Sequence, residues 1–251
     1  MKEIRIIAIE GIPEIKPNDD VANILIKSLE EQGIKVEDND IFVIAQKIVS
    51  KSEGRIVNLK DIKPSLKAIE ISKLCNKDPE FVELVLKESE KVIKIAPGHL
   101  IVKNKQGIVC ANAGIDKSNA EGEDVVILLP LDPDASAMKI RRRIQSLTGK
   151  KVGVIISDTY GRPLREGQIN FAIGASGVSL FRDYRGKKDR YGYILHVKNI
   201  AQADEIASAA ELLIGQADES IPAVIIRGLR VIDEDQPAKL LNMHEEKWLF
   251  K

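Results

Sequence analysis

Apolar and polar positions alternate along this chain in short blocks, and each block predicts a local element. Ile4 to Ile9 reads as a strand, closed by Gly11 and Pro13. Val21, Ile24, Leu25 and Leu29 recur at helical spacing after Asn18-Asp19-Asp20, which predicts a capped helix to about Glu31. Ile41 to Ala45 is a second, short apolar strand. Helical periodicity covers Ser65 to about Glu90, broken at Asn76-Lys77-Asp78-Pro79, where Asp78 and Pro79 have the order of an N-cap and a proline at the first helical position. Short strands are expected around Val92 to Ile95, Leu100 to Val102 and Gly107 to Ala111, with Pro97-Gly98 and Lys105-Gln106-Gly107 as turns. Ser136 to Leu147 is a basic amphipathic helix, and Val152 to Ile156 a strand.

Strand-like pieces follow at Ile169 to Ile173 and Tyr193 to Val197, then an alanine-rich helix, Ala201 to Ile214, and a strand, Ala223 to Arg227. The tail 237–251 is polar apart from Trp248, Leu249 and Phe250, which are expected to dock on the body or on a partner. Strands and helices mix without regular βαβ alternation. The expected class is therefore α+β, mixed sheets with flanking helices, rather than a Rossmann fold. Residues 1–251 read as a single unit built from two interlocked subdomains, a length that suits a sizeable core.

Charge narrows the function classes. Lys plus Arg and Asp plus Glu both number 38, so no broad basic field exists for nucleic acid, although a local basic pocket remains open. No apolar run reaches membrane-spanning length, and the opening residues lack a signal-peptide layout. Cys75 and Cys110 form neither a metal-ligand spacing nor a disulfide framework, so a reducing cytoplasm is the expected location.

The chemistry gathers after the strand at Val152 to Ile156. Ser157-Asp158-Thr159-Tyr160-Gly161-Arg162-Pro163-Leu164-Arg165 presents an acid, a hydroxyl and two arginines, on a loop expected to turn outward into a cleft. Asp and Thr are hard oxygen ligands for Mg²⁺ or Mn²⁺, and Arg is a forked partner for phosphate or carboxylate. Asp116 and Asn119, after another strand, either cap a polar turn or join Asp158 at a divalent ion. Lys47 and Lys51 are four apart, so one helical face would carry both ammonium groups toward a polyphosphate; a solvated basic turn is the plainer alternative. Gly11-Ile12-Pro13-Glu14 lets backbone approach a ligand closely, and Arg185 stands in a charged glycine-bearing loop. His99, His196 and His244 show no metal spacing. A P-loop signature and a Gly-x-Ser-x-Gly elbow are both missing from the sequence.

Seven ordered motifs together resemble the coenzyme F-420-0:γ-glutamyl ligase family, in its stand-alone archaeal form. They are GIPEI from Gly11, AQKIVSKSEGR from Ala45, GHLIVKNKQGIVCANAGIDKSN from Gly98, LLPLDPDASAMKIR from Leu128, ISDTYGRPLREGQINFAIG from Ile156, DYRGKKD from Asp183 and AAELLIGQ from Ala209. The resemblance implies GTP-dependent addition of L-glutamate to the deazaflavin precursor coenzyme F-420-0, first by an amide and then by a γ-linked bond. It implies Asp116, Asp158, Thr159 and Gln216 at Mg²⁺ or Mn²⁺, and Gly11, Ile12, Pro13, Glu14, Gln46, Lys47, Lys51 and Asn119 at GTP. Stimulation by K⁺ and a homodimer are further expectations from the same source. Arg162, Arg165 or Arg185 would receive glutamate or the acidic precursor. Two rival readings share the metal and phosphate chemistry: a nucleotide hydrolase with water as acceptor, and a GTP-binding regulator without turnover.

Overall fold

The computed structural model describes residues 3–118, 122–230 and 235–249. Its first half runs β1 (Arg5–Ala8), α1 (Val21–Glu31), β2 (Ile41–Ala45), α2 (Gln46–Ser52), β3 (Ile56–Asn58), α3 (Leu66–Cys75), α4 (Pro79–Lys87), β4 (Ser89–Ala96), β5 (His99–Asn104) and β6 (Val109–Ala111). The second half runs β7 (Val125–Ile127), α5 (Pro133–Thr148), β8 (Gly153–Gly161), β9 (Gln168–Ser176), β10 (Arg182–Asp183), β11 (Asn199–Ile200), α6 (Gln202–Ile214) and β12 (Ala223–Arg227).

A five-stranded sheet in the order β1-β12-β2-β8-β9 forms the centre. Only β2 and β8 pair in parallel; the other neighbours are antiparallel. The α+β class therefore holds. Both sheet faces are covered, which is why its central strands are nearly continuous apolar sequence. Alternate residues go opposite ways: Phe42 and Ile44 pack with α1 and α5, while Ile41 and Val43 pack with α6. Phe42 is fully enclosed, so its removal would cost about 3–5 kcal/mol.

A third apolar cluster is separate. Leu59, Ala68, Ile71, Phe81, Val82 and Val85 from the helical region pack with Leu100, Val102 and Val126. It is roofed by the β4-β5-β6 sheet and the β3-β7 ribbon.

Local signals behave as their chemistry requires. Asp20 caps α1 through a 3.1 Å bond from the Asn23 amide, and Pro79 opens α4. Asp132 caps α5, with Pro133 at its first position, so this helix starts three residues before the expected Ser136. Three expectations need correction. The helix expected to reach Glu90 stops at Lys87, because Ser89 begins β4 and pairs with Asn104. Tyr193 to Val197 forms no strand; Ile194 makes one isolated bridge to Lys188. Ser157 to Gly161 does not leave the sheet as a loop. A long partner, β9, keeps β8 paired to Gly161, with a register shift between Ile156 and Ser157.

The tail docks by charge, and by Ala238 and Leu241 packing on the α6 side of the sheet. Glu245 pairs with Lys91 at 3.0 Å and Lys103 at 3.5 Å, whereas Leu249 is exposed and Trp248 donates to the Met243 carbonyl within the tail itself. Phe250 lies outside the described residues.

Candidate active site

β2 and β8 run side by side in the same direction, and their carboxyl ends open on one cavity. Such ends gather ligands because the strands stop together while their connections diverge. Ala45 stays extended and the chain turns at once into α2, so Gln46 and Lys47 stand at the mouth of the parallel pair. β8 delivers Ser157, Asp158 and Thr159 beside them. Ile12, Pro13, Glu14, Lys51, Asn170 and the 214–222 segment complete a cavity of about 420 Å³.

Gln216 reaches the cavity because Gly215 ends α6 at φ 67° and ψ −174°, where a Cβ would meet the Glu219 carboxylate. Asp116 is aimed by a left-handed turn. Asn112, Ala113 and Gly114 have φ values of 52°, 58° and 75°, and the two non-glycine residues each cost about 1 kcal/mol there. The Asp116 backbone then exchanges hydrogen bonds with Ile127 at 3.0 and 2.8 Å, which fixes its direction.

Lys47 Nζ lies 3.0 Å from Asp116 Oδ2 and donates to Ser118 Oγ at 2.6 Å. Asp116 Oδ1 also accepts from the Ser118 amide at 2.7 Å, so the turn-capping role and the charged role coexist. Lys51 pairs with Glu14. Asp158 lies deep at the cavity wall. Burial pushes its carboxyl up to about 7; the Thr159 amide opposes this, Asp116 adds to it, and Lys47 opposes it. Burial, with the Asp158 charge, pushes the neighbouring Cys110 thiol up to about 12.

The opposite wall is rich in oxygen. The Thr159 hydroxyl has one proton but faces two acceptors, Gln216 Oε1 at 3.0 Å and Asn170 Oδ1 at 3.2 Å. Gln216 Nε2 donates to Glu211, whose other carboxylate oxygen is buried without a partner among the described residues. Burial raises the Glu211 carboxyl, against the Gln216 hydrogen bond. On the cavity side, Gln46 Nε2 and Ser157 Oγ are buried without acceptors among the described residues.

This donor set suits a hard cation beside a nucleotide. Among the described residues, no group of three or more His, Cys, Asp or Glu side chains forms a ready-made cage. Two carboxylates with surplus hydroxyl and amide oxygens nevertheless match Mg²⁺ or Mn²⁺, which keep waters and take further oxygens from a phosphate. The orphaned Gln46 and Ser157 donors are of the kind that phosphate or base oxygens satisfy.

Most of the expected residues therefore share one place. Ile12, Pro13, Glu14, Gln46, Lys47, Lys51, Asp158, Thr159 and Gln216 line the cavity; Gly11 immediately precedes it and Asp116 joins it through Lys47. Asn119 lies outside the described residues. Arg162 and Arg185 do not line this cavity. Arg162 folds back onto the Glu166 carbonyl at a hairpin tip, and Arg185 grips Asp183 at 2.7 Å. Sequence reasoning missed Ser157, Asn170 and Glu211. Glu211 lies five positions before Gln216, a hint of a shared helix end, while Asn170 is named only by its register partner Thr159.

Among the described residues no helix is long and apolar enough to cross a membrane. The family model described as F-420-0:γ-glutamyl ligase matches residues 11–228. The chain is 48% identical over 225 residues to the coenzyme F-420:L-glutamate ligase of Methanothermobacter thermautotrophicus, covering 90% of this chain and 89% of that one. It is 47% identical over 243 residues to the Archaeoglobus fulgidus ligase of the same name, covering 97% and 95%. The Methanocaldococcus jannaschii ligase is 47% identical over 196 residues, 78% of each chain. The matched span contains both walls of the cavity, and the chain belongs to the F-420-0:γ-glutamyl ligase family.

Proposed function

We propose that this chain joins L-glutamate to coenzyme F-420-0 at the expense of GTP, forming an amide and then a γ-glutamyl bond, in coenzyme F-420 biosynthesis. The observation that carries the reading is the convergence of Asp158, Thr159, Lys47 and Lys51 on one cavity, with Asp116 held against Lys47. The names of the relatives support the ligase class and its acceptor.

A carboxylate does not acylate an amine at neutral pH, because its leaving group would be oxide. Moving the γ-phosphoryl of GTP onto the acceptor carboxylate makes an acyl phosphate, whose leaving group is phosphate; glutamate's amine then displaces it, giving amide, GDP and phosphate. Lys47 and Lys51 act as point charges on the polyphosphate, exchanging their present partners Asp116 with Ser118, and Glu14, for phosphate oxygens. Gln46 and Ser157 donate their free hydrogens to the nucleotide. Asp116, Asp158, Thr159 and Gln216 hold Mg²⁺ or Mn²⁺, which when bound offsets phosphate charge and favours in-line transfer. The apolar Ile12, Pro13, Ile214 and Pro222 on the cavity wall keep water from the activated acyl group. Receipt of an acidic substrate by Arg162, Arg165 or Arg185 would require these arginines, which stand outside the cavity, to swing toward it, with Arg162 leaving the Glu166 carbonyl and Arg185 leaving Asp183; stimulation by K⁺, a homodimer and a cytoplasmic location belong to the same reading.

One assay tests it. Protein, GTP, Mn²⁺, L-glutamate and coenzyme F-420-0 are combined, and products are read by mass spectrometry. The reading expects glutamate additions matched by GDP; GDP without glutamylation would mean a hydrolase, and bound but intact GTP a regulator.

A further inference from the structure

A second cavity, of about 640 Å³, lies away from the acids just described. The loop at Lys105, Gln106 and Ile108, the start of α5, Ala172 and Ile173 of β9, and the tail at Pro237, Ala238 and Lys239 enclose it. Its volume is in the range of small-molecule sites. α5 builds one wall with a stripe of its own. Ala135, Met138, Lys139 and Arg142 recur at helical spacing and face the cavity, while Ala137, Ile140 and Ile144 face the sheet.

The charge of this lining is uneven. Lys105, Lys139, Arg142 and Lys239 stand around it against Asp132 and Asp134. Both acids are occupied with backbone. Asp132 Oδ1 accepts from the Ala135 amide at 3.0 Å, and Asp134 Oδ1 accepts from the Ala175 and Ala238 amides at 2.9 and 2.7 Å. Among the described residues, Lys139, Arg142 and Lys239 have no ion-pair partner within 4.0 Å, and Lys105 stands 3.9 Å from Glu88. In a chain with no net charge, four cations gathered over an apolar floor of Ile108, Pro133, Met138 and Ile173 form a complementary surface for one ligand type.

We propose that this cavity binds an organic polyanion with an apolar body. That chemistry is shared by an acidic deazaflavin, whose relevance rests on the proposed function, and by a second nucleotide. The floor shares strand β9 with the neighbour of Asp158. Ile173 is two residues from Phe171, the register partner of Asp158. That is about 7 Å along β9 and about 5 Å across to β8. A ligand seated here that extends along β9 would carry a carboxylate toward Asp158.

The test is calorimetric, on the full chain in Mg²⁺. Coenzyme F-420-0 and GDP are titrated separately into the wild type, into Arg142→Glu/Lys239→Glu, and into Ala135→Trp, which fills the cavity without changing charge. All three positions are exposed, so unchanged melting temperatures are expected. The proposal expects at least one probe to lose about tenfold or more in affinity in both variants. Loss for F-420-0 alone identifies an acceptor seat, and loss for GDP a second nucleotide site. If neither probe loses affinity in both variants, the proposal is overturned. Wild-type glutamate addition, measured separately, shows whether the proposed ligase function stands or falls independently.

Discussion

Asp40 and Asp158 mark opposite ends of the same parallel strand pair, and the molecule treats them in opposite ways. Asp40 sits where β2 begins, with no exposed side-chain surface. Arg227 grips it with two bonds of 2.8 Å, and the Glu37 amide adds a third at 2.8 Å. Asp158 sits where β8 nears its end, beside the Thr159 amide, with Lys47 turned toward Asp116 instead. One carboxylate is matched within the fold, and the other is held at a cost. A half-buried acid with no ion pair among the described residues is tolerated where a ligand will supply the missing charge. On the proposed function, the first acid serves the fold and the second serves the ligand.

Substitution should split the two acids. Asp40→Ala leaves the Arg227 guanidinium facing an emptied site, so stability should fall by about 3–5 kcal/mol, read by urea unfolding, with turnover per folded molecule retained. Asp158→Asn should do the reverse, abolishing turnover while stabilising the metal-free protein. The direction follows from protons. Folded Asp158 holds its proton up to about pH 7, while the unfolded carboxyl releases it near 4. Between those values the folded state binds more protons, so wild-type stability is lost as pH rises. Since the carboxyl also borders the open cavity, the full shift is discounted, and Asp158→Asn should gain about 1–3 kcal/mol at pH 8 and nothing at pH 4. A gain of equal size at both pH values would detach the effect from ionisation.

Smaller effects sharpen the picture. Lys51→Ala should weaken GTP about tenfold, close to 1.4 kcal/mol, measured by calorimetry; unchanged affinity would leave that lysine as the partner of Glu14 alone. Cys110, with its thiol pushed up to about 12, should resist alkylation at pH 8 in the folded protein and react fully once unfolded.

Local features of the fold were legible, and long-range ones were not. Ile41 to Ala45 and Ala223 to Arg227 were readable as strands because apolar runs between polar turns leave few alternatives. Asp20 and Pro79 announced their helices because capping is satisfied within a few residues. Lys47 and Lys51 were legible through a spacing of four, which α2 turns into a shared face. The Asp40–Arg227 pair spans 187 positions in a chain dense with charge, so neither residue stands out from its solvated neighbours. Asn170 and Glu211 join the site only through the β8–β9 register and the end of α6. Tyr193 to Val197 has β-propensity, but among the described residues its backbone bonds only to the short turn at 186–189, which is too brief to make a regular ladder.

Metal binding tests the central claim most directly. Mn²⁺ is titrated by calorimetry or electron paramagnetic resonance into wild type, Asp116→Asn, Asp158→Asn and Asp40→Asn, each with a non-hydrolysable GTP analogue. The account predicts that Asp116→Asn and Asp158→Asn each lose Mn²⁺ affinity by about tenfold or more, while any folded Asp40→Asn keeps it. Wild-type affinity in the Asp116 and Asp158 variants would contradict it.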